Sequence, residues 1–204
     1  MGEFNIGNAL GAISVGVSQG LSLEKIKPGL EKITGVPGRF ERIDAGQEYT
    51  VIIDYAFEPR AVVKLYEIIK LIEHNRVIHV LGSAGGGRDI ARRPLLGKIA
   101  GERADIVIIT NEDPYDDDPQ IIIDQVAVGA EKSGKKLAKN LFKVGDRREA
   151  IKQALKIAAA GDLVLITGKG CEQAICVAGG KKIPWDDRAV VREELGKLEV
   201  RSKK

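Results

Sequence analysis

The sequence predicts an α/β fold: a Rossmann-like, mostly parallel sheet with helices on both faces and a C-terminal hairpin. Three observations lead there. From residue 39 onward, apolar strand-like runs alternate with segments of helical spacing, and strand, loop and helix repeated in this way build a parallel sheet through right-handed crossovers. Pro59, Pro94 and Pro119 each stand where a helix would begin, a position that tolerates the missing N–H. The segment from Cys176 to Pro184 has the form of a hairpin turning on Gly179 and Gly180.

In chain order, residues 4–23 carry no charge. Asn5, Asn8, Ser14, Ser18, Gln19 and four glycines nevertheless make the stretch too polar for lipid. With no basic segment before it and no small-residue cleavage site after it, it does not read as a secretory signal. Ile6, Leu10, Ile13 and Val17 recur at three- and four-residue spacing, which predicts one face of a helix. Ser22 is placed to cap a second helix striped by Leu23, Ile26, Leu30 and Ile33, ending at the turn Gly35-Val-Pro-Gly38. Residues 1–37 are too few to fold alone and read as a helical remnant of another domain, with 38–204 as the main domain. Strands are expected at 40–43, 50–54, 77–81, 106–110, 141–144 and 163–167, and helices at 59–73, 94–103, 119–130, 147–159 and 187–195.

Composition narrows the function. A hydrophobic share of 44% with 30% charged residues excludes disordered, collagenous and coiled-coil chains. Thirty-two Lys and Arg against 29 Asp and Glu leave a net charge of +3, no broad field to attract nucleic acid or anionic lipid. Aromatic residues at 4% offer little for base stacking. Neither nucleic acid nor a membrane is expected as a partner. Two cysteines cannot form a disulfide framework, so a reducing cytoplasm is the expected location.

Ligands of such sheets bind at the loops after the carboxyl ends of the strands. Five loops qualify: 54–59, 82–89, 111–119, 145–147 and 168–172. The Gly-rich loop from Gly82 to Arg88 resembles a phosphate cradle, but Gly87 is followed by Arg88 and Asp89 rather than the Lys and Ser or Thr of a P-loop; a plain turn packed on its sheet is an equal reading. Glu112, Asp113, Asp116, Asp117 and Asp118 place five carboxylates in seven residues. For Asp116 to Asp118 an acid-rich helix N-terminus is favoured, whereas Asp113, directly after a strand and before a rigid proline, is the better functional candidate. Lys169 and Glu172 flank glycines at the end of the last core strand, where a placed pair and a surface ion pair are equally good readings. Cys176 reads as core, and His74 and His79 lie outside the strand-end loops, so no His-based triad and no metal site are expected.

In order and spacing these loops resemble the C-terminal domain of the Mur ligases, especially the UDP-N-acetylmuramoyl-tripeptide synthetase branch. The resemblance spans almost the whole chain and is most specific at Gly38-Arg-Phe-Glu41, Asp54-Tyr-Ala, Gly86-Gly-Arg-Asp89 with Arg93-Pro94, Asp113-Pro114, Asp118-Pro119, Gly168-Lys-Gly with Glu172, Ile183-Pro184 and Asp187-Arg188. Asn5-Ile-Gly-Asn-Ala-Leu10 looks like the last helices of that family's central ATPase domain. The resemblance implies ATP-dependent amide formation in cell-wall synthesis: a carboxylate of UDP-N-acetylmuramoyl-dipeptide is activated as an acyl phosphate and attacked by an amino acid's amine.

Residue by residue, the resemblance implies that Arg39 and Asp54 contact ATP, that Arg88 holds the incoming amino acid's carboxylate, and that Asp113, Tyr115, Gly168 and Glu172 line the amino-acid pocket. It implies no catalytic residue here, since the P-loop and the main ATP and Mg²⁺ sites belong to the family's central domain; the chain alone is expected to be inactive. Two departures stand out, Phe57 and Cys171 where the family usually has histidine. Branches that take meso-diaminopimelate read Asp-Asn-Pro-Arg where this chain has Glu112-Asp-Pro-Tyr115, so a lysine-like substrate is expected, its distal ammonium attracted by Asp113 and Glu172. The competing readings are a cyanophycin- or folylpolyglutamate-type ligase domain and a non-catalytic binding module.

Overall fold

A computed structural model describes residues 4–202. The chain divides into two compact units between Val36 and Pro37. The first holds two helices, α1 (Phe4–Ser18) and α2 (Leu23–Glu31). Ser22 occupies the N-cap position of α2 but makes no capping hydrogen bond to the backbone, contrary to expectation. Within this unit, Leu10 of the predicted apolar face is 57% exposed and Leu23 59%.

The second unit is the α/β domain. Its strands are β1 (Glu41–Ile43), β2 (Thr50–Asp54), β3 (Val77–Leu81), β4 (Ile106–Thr110), β5 (Leu141–Val144) and β6 (Leu163–Thr167). They form one sheet in the order β1-β2-β6-β3-β4-β5, parallel throughout except for the antiparallel edge pair β1 and β2. The helices are α3 (Pro59–Ile69), α4 (Arg92–Arg103), α5 (Pro119–Lys132), α6 (Arg147–Ile157) and α7 (Asp187–Ser202). Strand β7 (Ala174–Val177) pairs antiparallel with β8 (Lys181–Pro184), and Gly179 and Gly180 turn the chain between them at φ 69° and 70°.

The period-two alternation of the strands sends side chains to two separate cores. Ile52, Val77, Leu81, Val107, Leu163 and Leu165 pack under α3, α4 and α5, while Val51, Ile53, Ile78, Val80, Val164 and Ile166 pack under α6 and α7. His79 falls on the first side within β3. It is fully buried, with Nδ1 2.8 Å from the Tyr66 hydroxyl and Nε2 2.9 Å from Thr167 Oγ1, and burial lowers its pKa to about 3.

Boundaries shift by one to a few residues for local reasons. Phe40 is excluded from β1 because its φ is 48°, held by its N–H donating to Asp54. Helix α4 starts two residues before Pro94, which is harmless because N–H groups of the first turn have no helical acceptor. Helix α3 ends at Ile69, four residues short of expectation, and α7 runs on to Ser202. Among the described residues no helix is long and apolar enough to cross a membrane.

Candidate functional site at the carboxyl edge of the sheet

Every parallel strand points its carboxyl end to one edge, so the five loops singled out by sequence converge there. Backbone packing brings two of them into contact with each other and with the chain before β1. A Cβ on Gly38 would strike the backbone of Gly170 and Cys171, and one on Gly170 would strike Gly38 and Tyr55, so the chain before β1, the end of β2 and the loop after β6 touch where only glycine fits. The Gly-rich loop after β3 meets the loop after β4 in the same way. Gly85 donates its N–H to the Asp113 carbonyl at 2.7 Å, and a Cβ on Gly86, at φ 62°, would meet the Tyr115 ring. That loop is therefore a turn packed on its neighbour, the plainer of its two readings.

The centre of the site is Lys169. Its side chain is 1% exposed, and its ammonium lies 2.8 and 2.9 Å from the two carboxylate oxygens of Asp113 and 2.6 Å from Glu172 Oε2. Burial works to lower the ammonium's pKa, but the two carboxylates outweigh it and the net shift is upward. Asp113 also accepts the Cys176 N–H at 2.7 Å, which ties β7 to the loop after β4. Tyr115, at φ 51°, donates its N–H to the Cys176 carbonyl, and burial together with the neighbouring Cys176 raises its phenol pKa.

On the other side, Glu172 accepts a 3.0 Å hydrogen bond from the Tyr55 hydroxyl, and burial together with Glu172 pushes that phenol up to about 12. The Arg39 guanidinium stacks 4.3 Å from the centroid of the Tyr55 ring. Asp54 accepts N–H bonds from Phe40 and Ala56, both at 2.7 Å, and burial raises its pKa against those bonds. Arg88 is exposed, 5.8 Å from the centroid of the Tyr115 ring. One unbroken series of contacts thus runs Arg39, Tyr55, Glu172, Lys169, Asp113, Cys176, Tyr115, Arg88. It includes every sequence-predicted site residue but two: Asp54, which flanks it at the end of β2, and Gly168, which lies beneath it at φ 103° against the Glu112 carboxylate.

Three features escaped the sequence reading. Lys169, for which a placed pair and a surface pair stood equal, is a buried bridge whose second partner went unseen, because the fold delivers Asp113 to it from a loop 56 residues earlier. Two charges of the pair expected to draw in a substrate ammonium are thereby already met by one ammonium of the chain. Arg147 is 2% exposed, clamped bidentately by Asp187, and donates to the carbonyls of Thr167 and Asn111, holding the ends of β6 and β4 together. Glu112 is buried with Oε2 unpartnered, and burial raises its pKa to about 7. The remaining acids follow the plainer reading: Asp118 caps α5 through the Gln120 N–H, Asp117 pairs with Arg93, and Asp116 accepts from Gly179. Cys176 is half-buried and Cys171 exposed.

Comparison with known proteins agrees with this fold. The family model described as "Mur ligase, glutamate ligase domain" matches residues 38–170. A UDP-N-acetylmuramyl-tripeptide synthetase of Roseiflexus sp. (strain RS-1) is 45% identical over 197 residues, covering 97% of this chain and 38% of the relative. A UDP-N-acetylmuramoyl-L-alanyl-D-glutamate--2,6-diaminopimelate ligase of Fusobacterium nucleatum is 39% identical over 196 residues, covering 96% and 39%. The solved structure of a ligase of that second description superposes with a TM-score of 0.71 at 32% identity, covering 98% of this chain and 39% of the other. Mycobacterium tuberculosis folylpolyglutamate synthase, at 23% identity and a TM-score of 0.60, shares the fold. The chain spans about two fifths of the length of the relatives it matches. With its sheet, its strand-end loops and the matched segment in agreement, the chain belongs to the Mur ligase family.

Proposed function

We propose that this chain is the amino-acid-binding, C-terminal domain of an ATP-dependent ligase of peptidoglycan synthesis, working in the cytoplasm. In this reading residues 1–37 are the tail of the ligase's ATP-binding domain. The ligase joins an amino acid to UDP-N-acetylmuramoyl-dipeptide. The observation that carries this is the continuous contact series from Arg39 to Arg88, which joins the residues on the proposed ATP side to those of the proposed amino-acid pocket. The 45% identity to a tripeptide synthetase supports the same step.

The residues fit ATP in part. Arg39 is exposed, stacked rather than ion-paired, and keeps its donors available for phosphate oxygens. Asp54 fixes the loop that carries Arg39, through Phe40. Among the described residues no three His, Cys, Asp or Glu side chains group as metal ligands, so Mg²⁺ is assigned to none of them. ATP supplies the phosphoryl group that activates the acceptor carboxylate. This chain's contribution is to hold the attacking amino acid: the planar fork of Arg88 takes its carboxylate, with Tyr115, Gly168 and the Asp113–Lys169–Glu172 group around the rest.

The amino acid in this reading is a diamino acid without a distal carboxylate, such as lysine. Tyr115 offers no guanidinium for such a carboxylate, a loss of about 2–5 kcal/mol in a site closed to water. The attraction for a distal ammonium is weaker than two free carboxylates would give, because Lys169 leaves the group a net charge of about −1. The test is ADP release by the full ligase supplied with either the UDP-linked dipeptide or a folate acceptor, and with lysine, meso-diaminopimelate or glutamate in turn. Turnover with lysine supports the proposal; turnover only with glutamate on a folate acceptor would replace it with the folylpolyglutamate reading.

A further inference from the structure

We propose that Lys169 is a specificity-setting positioning residue: it supplies from within the chain the ammonium that Asp113 and Glu172 bind, locking two loops and β7 together and fixing the charge that an incoming amino acid meets. The proposal rests on reading this edge as the amino-acid pocket, but its geometry stands apart from that reading. Both oxygens of Asp113 and one of Glu172 lie within hydrogen-bond distance of a single primary ammonium, and Nζ has three N–H groups to give. The group joins two loops and a strand: Asp113 after β4, Lys169 and Glu172 after β6, with Cys176 of β7 donating to Asp113 Oδ1.

The contrast with Arg147 shows why Lys169 is more than packing. The Arg147–Asp187 pair is closed on all sides, its side chains 1% and 0% exposed. The Lys169 group opens outward: the lysine side chain is 1% exposed, that of Asp113 10% and that of Glu172 38%, so the buried cation backs a carboxylate that faces solvent at the ligand edge. A lysine in this place does two things that a neutral residue cannot. It removes most of the repulsion between two carboxylates forced together by the fold, and it occupies the position in which a free primary ammonium would otherwise bind. With Lys169 in place the pocket discriminates by the single charge left on Glu172; without it the pocket becomes a receptor for alkylammonium ions.

The test uses the 204-residue chain itself. Lys169→Ala removes three carbons and the ammonium, the size of n-propylammonium. Its melting temperature is expected to fall by roughly 10 °C and to recover in n-propylammonium chloride but not in equal tetramethylammonium chloride, which carries the charge without N–H donors. The native chain, and the uncharged triple variant Asp113→Asn, Lys169→Met, Glu172→Gln, should respond alike to both salts. Recovery by both salts alike, recovery of the triple variant by n-propylammonium, or an unchanged melting temperature in Lys169→Ala would overturn the proposal. If Lys169→Ala does not fold, Lys169→Met keeps the stem, and hydrogen exchange at the Cys176 and Tyr115 amides reads the lock: faster exchange supports it and unchanged exchange overturns it. None of these outcomes depends on ligase activity, so failure of the functional reading is seen separately, in the ADP-release assay.

Discussion

Glu112 lies beneath Gly168 with one carboxylate oxygen unpartnered, and burial raises its pKa from an ordinary 4.5 to about 7, with Arg147, Lys169 and Arg92 pulling the other way. Between those two values the folded chain keeps a proton that the unfolded chain has released. The contribution of Glu112 to stability should therefore fall as pH rises from 4.5 to 7 and level off above, a loss of roughly 3 kcal/mol. Glu112→Gln removes that contribution, so the difference between the urea midpoints of the two chains should change from pH 5 to 7 and hold steady to pH 8; parallel profiles would contradict the assignment. The sequence marked Glu112 only as one acid among five. What sets it apart is depth, since a one-residue step along a chain leaving a strand turns a side chain from the solvent edge to the interior. Lys169 was hidden for a related reason: its neighbour Glu172 was visible at three residues' distance, but Asp113 is brought to it only by the parallel pairing of β3 with β4 and with β6.

At the scale of elements, β2, β3, β4 and β6 were legible because each is a compact, largely apolar run of five residues, and they stand where the pattern placed them. Helix ends were less so: α3 was expected to reach residue 73, but the helix stops at Ile69, although Ile72 beyond it still packs against the core. The glycines between elements carry their own prediction. Gly168 combines a φ of 103° with a Cβ direction that runs into Glu112. Gly168→Ala should cost about 2–3 kcal/mol from strain and displaced packing, read as a lowered denaturation midpoint. An alanine variant as stable as the native chain would show that the loop after β6 can relax. Helices α1 and α2 differ from the rest: α2 has no buried residue, and Ile6, Leu10 and Val17 of α1 are 63%, 57% and 51% exposed. Their amides should exchange with solvent far faster than those of β3, every residue of which is buried. Protection equal to that of β3 would contradict this.

Across the whole molecule two buried titrations oppose one another. His79, neutral down to about pH 3, binds fewer protons folded than unfolded between pH 3 and 6.5, so stability falls as pH drops through that window. From pH 4.5 to 6.5 this loss on acidification is offset by the gain from Glu112, and the stability profile should be flattest there. His79→Gln, which can still bond to Tyr66 or Thr167, should leave the acid side shallower; an unchanged acid limb would contradict a buried neutral imidazole. The central proposal concerns the edge where the loops meet: that it binds an amino acid through Arg88 while the phosphoryl chemistry belongs to another domain of the ligase. The most direct measurement is the steady-state kinetics of the full ligase with Arg88→Met. The account predicts a KM for the amino acid raised about 30-fold or more, the equivalent of ~2 kcal/mol of a lost charge-assisted carboxylate contact, with the KM for ATP unchanged. An unaltered amino-acid KM, or a loss confined to ATP, would contradict it.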